Sequence, residues 1–223
     1  MAIKIDLKIF LFFLIFYFFH QVEIYALLLF FALLHEIGHL LAGLLLGYEP
    51  DHLHISPIGI SISFKEKWKK HTTRMKKGSK RDLDEIVIAL AGPVTNFGIF
   101  FFCYFIDLQN TNVYYANLIL AFFNLLPIYP LDGGRILKSI GNLQWGKVKS
   151  WQVTHFLANS LMIALSATFS IAILYYHNIG IVIMSVYLWW IVIQENRIYE
   201  RRMKLYEQIE KYKIKEEQSV GKC

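Results

Sequence analysis

The most constraining feature of this sequence is a group of three ionisable side chains inside a long apolar run. Between residues 25 and 46 the only strongly polar or charged side chains are those of His35, Glu36 and His39. An ionisable group near the centre of a bilayer costs roughly 2.5–3.5 kcal/mol on the insertion scale. The fold must therefore supply a partner or an ion that offsets this cost.

The composition indicates a membrane protein. Of the 223 residues, 56% are hydrophobic and 18% are charged, whereas a soluble domain has about 45–50% apolar and about 25% charged residues. The net charge of +6 could indicate binding to nucleic acid, but in a membrane protein basic residues usually mark the cytosolic face. We therefore expect no nucleic-acid partner.

Six apolar runs predict an all-α membrane protein with six transmembrane helices. In the first run, Lys4 and Lys8 precede the apolar residues 9–19 and no small-x-small cleavage site follows them, so we expect the run to be retained as an anchor. The six runs are 5–20, 24–47, 84–106, 113–128, 152–176 and 179–194.

The distribution of basic residues predicts the orientation of these helices in the bilayer. With a cytosolic N-terminus, all 23 Lys and Arg residues fall on the cytosolic side and none in the three outer loops. The positive-inside rule therefore predicts a multi-pass protein whose N- and C-termini are both cytosolic. The cytosolic segments are 1–8, 48–83, 129–151 and 195–223.

Two segments outside the spans have structure of their own. Alternating β-branched residues over 53–64, interrupted at Pro57, predict a small β element in the loop after the second helix. The tail 196–223 carries both signs of charge at loosely helical spacing and predicts a cytosolic helix. The remaining residues, 1–195, form one predicted membrane domain.

The motif HEIGH indicates a metal site with a general base. His35 and His39 are four residues apart, so a helix brings both imidazoles to one face, as two zinc ligands require. Glu36 lies next to them and could take a proton from a metal-bound water. Surface residues of a soluble helix produce the same pattern by chance. In an apolar span, however, His and Glu side chains that bind nothing would leave their cost of insertion into the bilayer without compensation.

A catalytic zinc normally has a third protein ligand, and Asp132 in PLDGGR is the best candidate. It follows a proline-broken span at the same predicted depth as the histidines, while Asp107, Cys103 and His155 are placed less well. The alternative is a turn-forming aspartate before two glycines. Asn124, at the end of the fourth span, could hold the broken backbone or contact substrate or its oxyanion.

Three motifs in this order, HEIGH, LAGPVTN and NLLPIYPLDGGR, resemble those of the site-2 protease family of intramembrane zinc metalloproteases. The resemblance implies a zinc metalloendopeptidase that cleaves transmembrane or membrane-associated proteins in the lipid bilayer. It also implies that His35, His39 and Asp132 bind zinc and that Glu36 is the general base.

Within that family the chain is most similar to the stage IV sporulation FB type, which has six spans and no inserted PDZ domain. This similarity implies regulated intramembrane proteolysis, with a sporulation transcription-factor precursor as substrate and a regulatory membrane partner. The chain departs from that type because only about 29 residues follow the last predicted span, and we expect no CBS domain there.

Other functions share parts of this pattern. A membrane metal-ion carrier or sensor needs the ligands but neither Glu36 nor a broken helix at the metal. A non-catalytic metal-binding scaffold predicts damage to the motifs, and all three are intact. A membrane hydrolase acting on a lipid or a prenylated end is the enzymatic alternative.

Overall fold

The computed structural model describes residues 2–56, 59–65, 74–108, 111–176 and 179–220. Over these residues the chain is mostly helical, which confirms that part of the prediction. The helices are α1 Lys8–Phe18, α2 Val22–Leu45, α3 Arg74–Phe105, α4 Asn112–Asn124, α5 Asp132–Trp145, α6 Lys147–Tyr176 and α7 Ile179–Val220. The strands are β1 Ala2–Ile5, β2 Pro50–Ser56 and β3 Gly59–Phe64.

Six transmembrane helices are not confirmed. Among the described residues three stretches are long and apolar enough to cross a membrane, namely Val22–Leu45, Ser79–Phe105 and Lys147–Ala172. The apolar part of α1, Ile9–Phe18, is shorter. Helix α4 has 13 residues and is about 20 Å long, less than the roughly 30 Å hydrocarbon core of a bilayer.

Helix α7 continues through the point at which the sequence predicts the last span to end. Its 42 residues join the predicted span 179–194 to most of the charged tail. The helix persists because no glycine or proline follows Gly180, its second residue. Span and tail are therefore one helix, although their composition changes sharply near Glu195.

The predicted β element is present as part of a three-stranded sheet in the order β1-β2-β3. Strand β2 pairs antiparallel with β3, and Leu53 lies opposite Ile62. Strand β1 pairs parallel with β2, which the sequence did not predict. Pro57, where we expected the interruption, lies outside the described residues. The sheet packs on α2. The ring of Phe64 in β3 lies so close to Gly43 that an added Cβ would overlap it.

Close packing of α2 on α3 sets the position of the candidate site. Gly38 of α2 faces α3 so closely that an added Cβ would lie 2.8 Å from the carbonyl oxygen of Ala91 and overlap Thr95 Oγ1. Such small-residue contacts let two membrane helices approach closely. Side chains of α2 and α3 can then contact each other over several turns.

The connection between α4 and α5 breaks the helical path, as its prolines and glycines predict. It contains a cis peptide bond at Tyr129–Pro130, and Leu131 N–H donates to the carbonyl of Ile128 at 2.8 Å. Gly133, in the first turn of α5, packs so tightly on this connection that a Cβ would overlap the carbonyl of Leu125. As a result Asp132 begins α5 from a buried position.

Candidate metal centre

Three potential ligand atoms converge between α2 and α5. His35 Nε2 lies 2.9 Å from Asp132 Oδ2, and His39 Nε2 lies 3.1 Å from the same oxygen. The two Nε2 atoms are 3.1 Å apart. The side chains are almost fully buried, with relative exposures of 4%, 3% and 5% for His35, His39 and Asp132. The structure thus brings together the three residues that the sequence selected as ligands.

This triangle fits a tetrahedral divalent ion. Ligands at 2.0–2.1 Å from a tetrahedral zinc are roughly 3.3 Å apart, close to the observed edges of 2.9–3.1 Å. Two imidazole nitrogens and one carboxylate oxygen are also a typical donor set for zinc in hydrolases. Of the described residues, these three form the group of His, Cys, Asp or Glu that could hold a metal.

The backbone of α3 orients His39. Its Nδ1–H donates to the carbonyl oxygen of Ile88 at 2.7 Å. Since a neutral imidazole carries one proton, this bond leaves the lone pair of Nε2 directed at Asp132 and His35. A hydrogen bond from the second ring nitrogen to a carbonyl is the usual support of a metal-binding histidine.

A charged pair from α3 and α5 orients Asp132. Arg135 donates from an Nη atom to Asp132 Oδ1 at 3.4 Å and from Nε to Glu85 Oε1 at 2.8 Å. Asp132 Oδ2 therefore stays directed towards the histidines while its other oxygen is held by the guanidinium. Glu85 in turn balances the positive charge that Arg135 brings close to the site.

Gly92 of α3 leaves the space in which the imidazoles meet. A Cβ at this position would overlap Nε2 of both His35 and His39. Gly92 lies in the motif LAGPVTN, directly before Pro93. The structure adds a specific reason for glycine: any side chain at residue 92 would occupy the ligand triangle.

Glu36 and Asn124 have contacts that bear on their predicted roles. The Glu36 carboxylate accepts a hydrogen bond from the backbone N–H of Ile62 in β3, so the sheet lies beside the site. Asn124 is the last residue of α4, and its Nδ2 donates to the carbonyl of Leu120 at 3.0 Å. This bond fits the interpretation that Asn124 holds the end of the broken helix, and the role of either side chain in catalysis stays a prediction.

The weaker candidates for a third ligand lie elsewhere. The His155 ring stacks on Tyr199 with centroids 3.9 Å apart. Cys103 is buried in α3, about 16 Å along the helix from Gly92. Arg135 and Glu85 were missed by sequence reasoning, although the spacing of Asp132 and Arg135 in DGGR is the signal of a same-face helical pair.

Comparison with known proteins confirms the resemblance to the site-2 protease family. The family model of peptidase family M50 matches residues 111–169, which include Asp132 and the broken helix but not the histidines. The fold is similar to that of the site-2 protease from Methanocaldococcus jannaschii, with a TM-score of 0.62 at 24% identity over 86% of this chain and 89% of that chain.

Curated relatives share parts of this sequence. A zinc metalloprotease of Methanocaldococcus jannaschii is 28% identical over 79% of this chain and 50% of its own length. Stage IV sporulation protein FB of Bacillus subtilis is 27% identical over 49% of this chain and 37% of its own length. A putative zinc metalloprotease of Synechocystis is 30% identical over 62% of this chain and 34% of its own length. The chain spans about half the length, or less, of these relatives.

We predict that Gly92→Ala abolishes metal binding without unfolding the protein. The added methyl group would separate the two Nε2 atoms from the space that the ion needs. The measurement is bound zinc per chain by elemental analysis after purification in detergent. Gly98→Ala is the matched control, because it makes the same change on the same helix where an added Cβ meets no atom within 4 Å. Full metal content in Gly92→Ala would contradict the assigned position of the ion.

Proposed function

We propose that this relative of the site-2 proteases is an intramembrane zinc metalloprotease that hydrolyses a peptide bond of a transmembrane or membrane-associated protein. One observation carries the proposal. The ligand triangle of His35, His39 and Asp132 is buried at a helix that is long and apolar enough to cross a membrane. A site of this kind would bring a water-dependent reaction to a peptide bond within or near the bilayer.

The donor set supports zinc and an open coordination position. Catalytic zinc sites have three protein ligands and keep the fourth position for water or substrate, whereas structural sites are usually closed by four. Zinc held by His35, His39 and Asp132 would lower the pKa of a water towards about 7 and would polarise a carbonyl oxygen. Arg135 and the Ile88 carbonyl keep Asp132 and His39 in the orientation that this binding needs.

Glu36 is the proposed general base. Its carboxylate would accept the proton of the attacking water and return it to the amide nitrogen of the leaving group. The backbone N–H of Ile62 hydrogen-bonds to this carboxylate and would help to orient it. With Asp132 as the third ligand, Glu36 is left for proton transfer.

The narrower form of this proposal concerns pathway and partners. One curated relative is a sporulation protein of Bacillus subtilis, and the narrower substrate is a sporulation transcription-factor precursor, with a regulatory membrane partner controlling its access. A cleavage assay that pairs such a precursor with an unrelated membrane protein tests this form. Cleavage of the unrelated membrane protein alone would contradict the narrower proposal.

A membrane metal-ion carrier or a non-catalytic scaffold is the second candidate. The buried ligand triangle alone would serve either function. Neither function needs a proton acceptor beside the metal, so the behaviour of Glu36 separates them from the protease.

We predict that Glu36→Gln retains zinc and lowers peptide-bond cleavage by about 10²–10⁴-fold. Glutamine keeps the size of the side chain and can accept the Ile62 hydrogen bond, but it cannot take a proton. Zinc content and cleavage of a reconstituted membrane substrate are measured together. Glu23→Gln, an exposed position of the same helix, is the matched control, and Asp132→Ala should lose both zinc and cleavage. Cleavage by Glu36→Gln near the wild-type rate would favour the carrier or scaffold, and loss of zinc would make Glu36 a ligand.

We propose a minor substrate contact for Asn124 and predict that Asn124→Ala lowers kcat while zinc content stays unchanged. One amide hydrogen is engaged by the Leu120 carbonyl, which leaves the second hydrogen available for a substrate carbonyl or its oxyanion. The kinetic comparison uses Asn112→Ala, at the exposed other end of α4, as its control. An unchanged kcat with a lower melting temperature would assign Asn124 to holding the helix end alone.

We also propose that both termini are cytosolic, since the basic residues all lie on that side of the predicted topology. Single cysteines at Lys80 and Glu207, in a background with Cys103→Ala and Cys223→Ala, should react with an impermeant reagent only after the cytosolic face is opened. A cysteine at Asn112 should react from the outside. Labelling of the position at Lys80 from the outer face of intact cells would overturn this orientation.

A further inference from the structure

A second polar site lies beside α3, α5, the start of α6 and α7. It is a cavity of about 360 Å³, within the roughly 300–1,000 Å³ range of ligand sites. Five of its lining residues are cationic, against two carboxylates. The cationic residues are Arg81, Arg135, Lys138, Lys147 and Arg202.

Both carboxylates of this cavity are already engaged. Glu85 accepts from Arg135 Nε at 2.8 Å, and Asp82 Oδ1 accepts from Asn142 Nδ2 at 2.9 Å. Within the described part of the chain, Lys138 and Arg202 form no direct ion pair with a carboxylate, although Glu195 lies close enough to interact with both charges. The cavity therefore holds an excess of positive charge, because five cations face its two lining carboxylates and the neighbouring Glu195.

Two of the cations are held on one aromatic ring. Lys138 Nζ and the guanidinium carbon of Arg202 each lie 4.3 Å from the ring centroid of Trp151. Lys138 Nζ also lies 4.5 Å from the ring centroid of Tyr129. Burial and the neighbouring Arg202 lower the pKa of Lys138. The two like charges repel each other, Glu195 offsets part of that repulsion, and a bound anion would offset more of it.

The position of the cavity indicates where such an anion comes from. Trp151 lies one turn inside the membrane-crossing stretch Lys147–Ala172, and Tyr206 of α7 lines the same cavity. Trp and Tyr side chains are enriched at the membrane–water interface. Basic pockets between membrane helices on the cytosolic side bind the head groups of anionic lipids.

We propose that this cavity binds the phosphate group of an anionic phospholipid, with Lys138 and Arg202 as its charge partners. The ring of Trp151 contacts both cations. The bound lipid would connect α5, which carries Lys138, to α7, which carries Arg202. Because Arg135 lines the same cavity and also contacts Asp132, the lipid would stabilise the helix that begins with the third ligand of the metal centre.

The test uses the full-length protein in nanodiscs of phosphatidylcholine alone or of equal parts phosphatidylcholine and phosphatidylglycerol. A third sample contains phosphatidylcholine with inorganic phosphate in the buffer. Native mass spectrometry counts retained lipid, and thermal unfolding measures stabilisation. We expect retained phosphatidylglycerol and a raised unfolding midpoint for the wild type. Lys138→Gln and Arg202→Gln should each weaken phosphatidylglycerol binding about fivefold, as expected for the loss of one basic residue at the membrane surface.

Arg201→Gln and Lys204→Gln are matched controls, because they remove the same charge from the helix that carries Arg202 at positions that do not line the cavity. Lys138→Arg keeps the charge and should retain the lipid, which separates binding from a folding defect. Equal phosphatidylglycerol retention by the wild type and by the Lys138→Gln/Arg202→Gln double variant would overturn the site. A raised unfolding midpoint with inorganic phosphate, and an unchanged midpoint with phosphatidylglycerol, would overturn the assignment of the bound anion to a lipid.

Discussion

The close approach of α2 to α3 is the constraint on which the rest of the structure depends. Gly38 allows the two helices to touch, and one turn away Gly92 leaves the space in which the two imidazoles meet. The same approach lets His39 reach the carbonyl of Ile88 at 2.7 Å. A larger side chain at either glycine would separate the helices or fill the ligand triangle. The lack of a side chain at these two positions therefore allows the observed arrangement of His35 and His39.

Charge balance explains how this polar group is tolerated in an apolar helix. Burying a charge is costly unless it is paired and hydrogen-bonded. Asp132, Arg135 and Glu85 form a connected chain of alternating charge, and a divalent cation at the triangle would offset the remaining negative charge. The cost noted for His35 and Glu36 is thus shared among α2, α3, α5 and the ion.

The sequence predicted those parts of the site that are encoded locally. Helical spacing selects His35 and His39 as candidate ligands, the proline-broken run before Asp132 selects the third candidate, and the three lie together in the structure. The pairing of Glu85 with Arg135 and the position of Gly92 against the imidazoles depend on contacts between distant segments, which no local pattern encodes. Strand β1 was missed for the same reason, because its partner β2 lies about fifty residues away. The count of six spans is not confirmed, since hydropathy alone distinguishes neither the 13-residue α4 nor the uninterrupted α7 from ordinary spans.

Two supports of the polar centre are main-chain atoms, the carbonyl of Ile88 and the N–H of Ile62. Their chemistry does not depend on which side chain occupies either position. Residues 62 and 88 are therefore free to drift among apolar types during evolution while His39 and Glu36 keep their partners. These two contacts depend on the path of the backbone and not on a side-chain motif at either position.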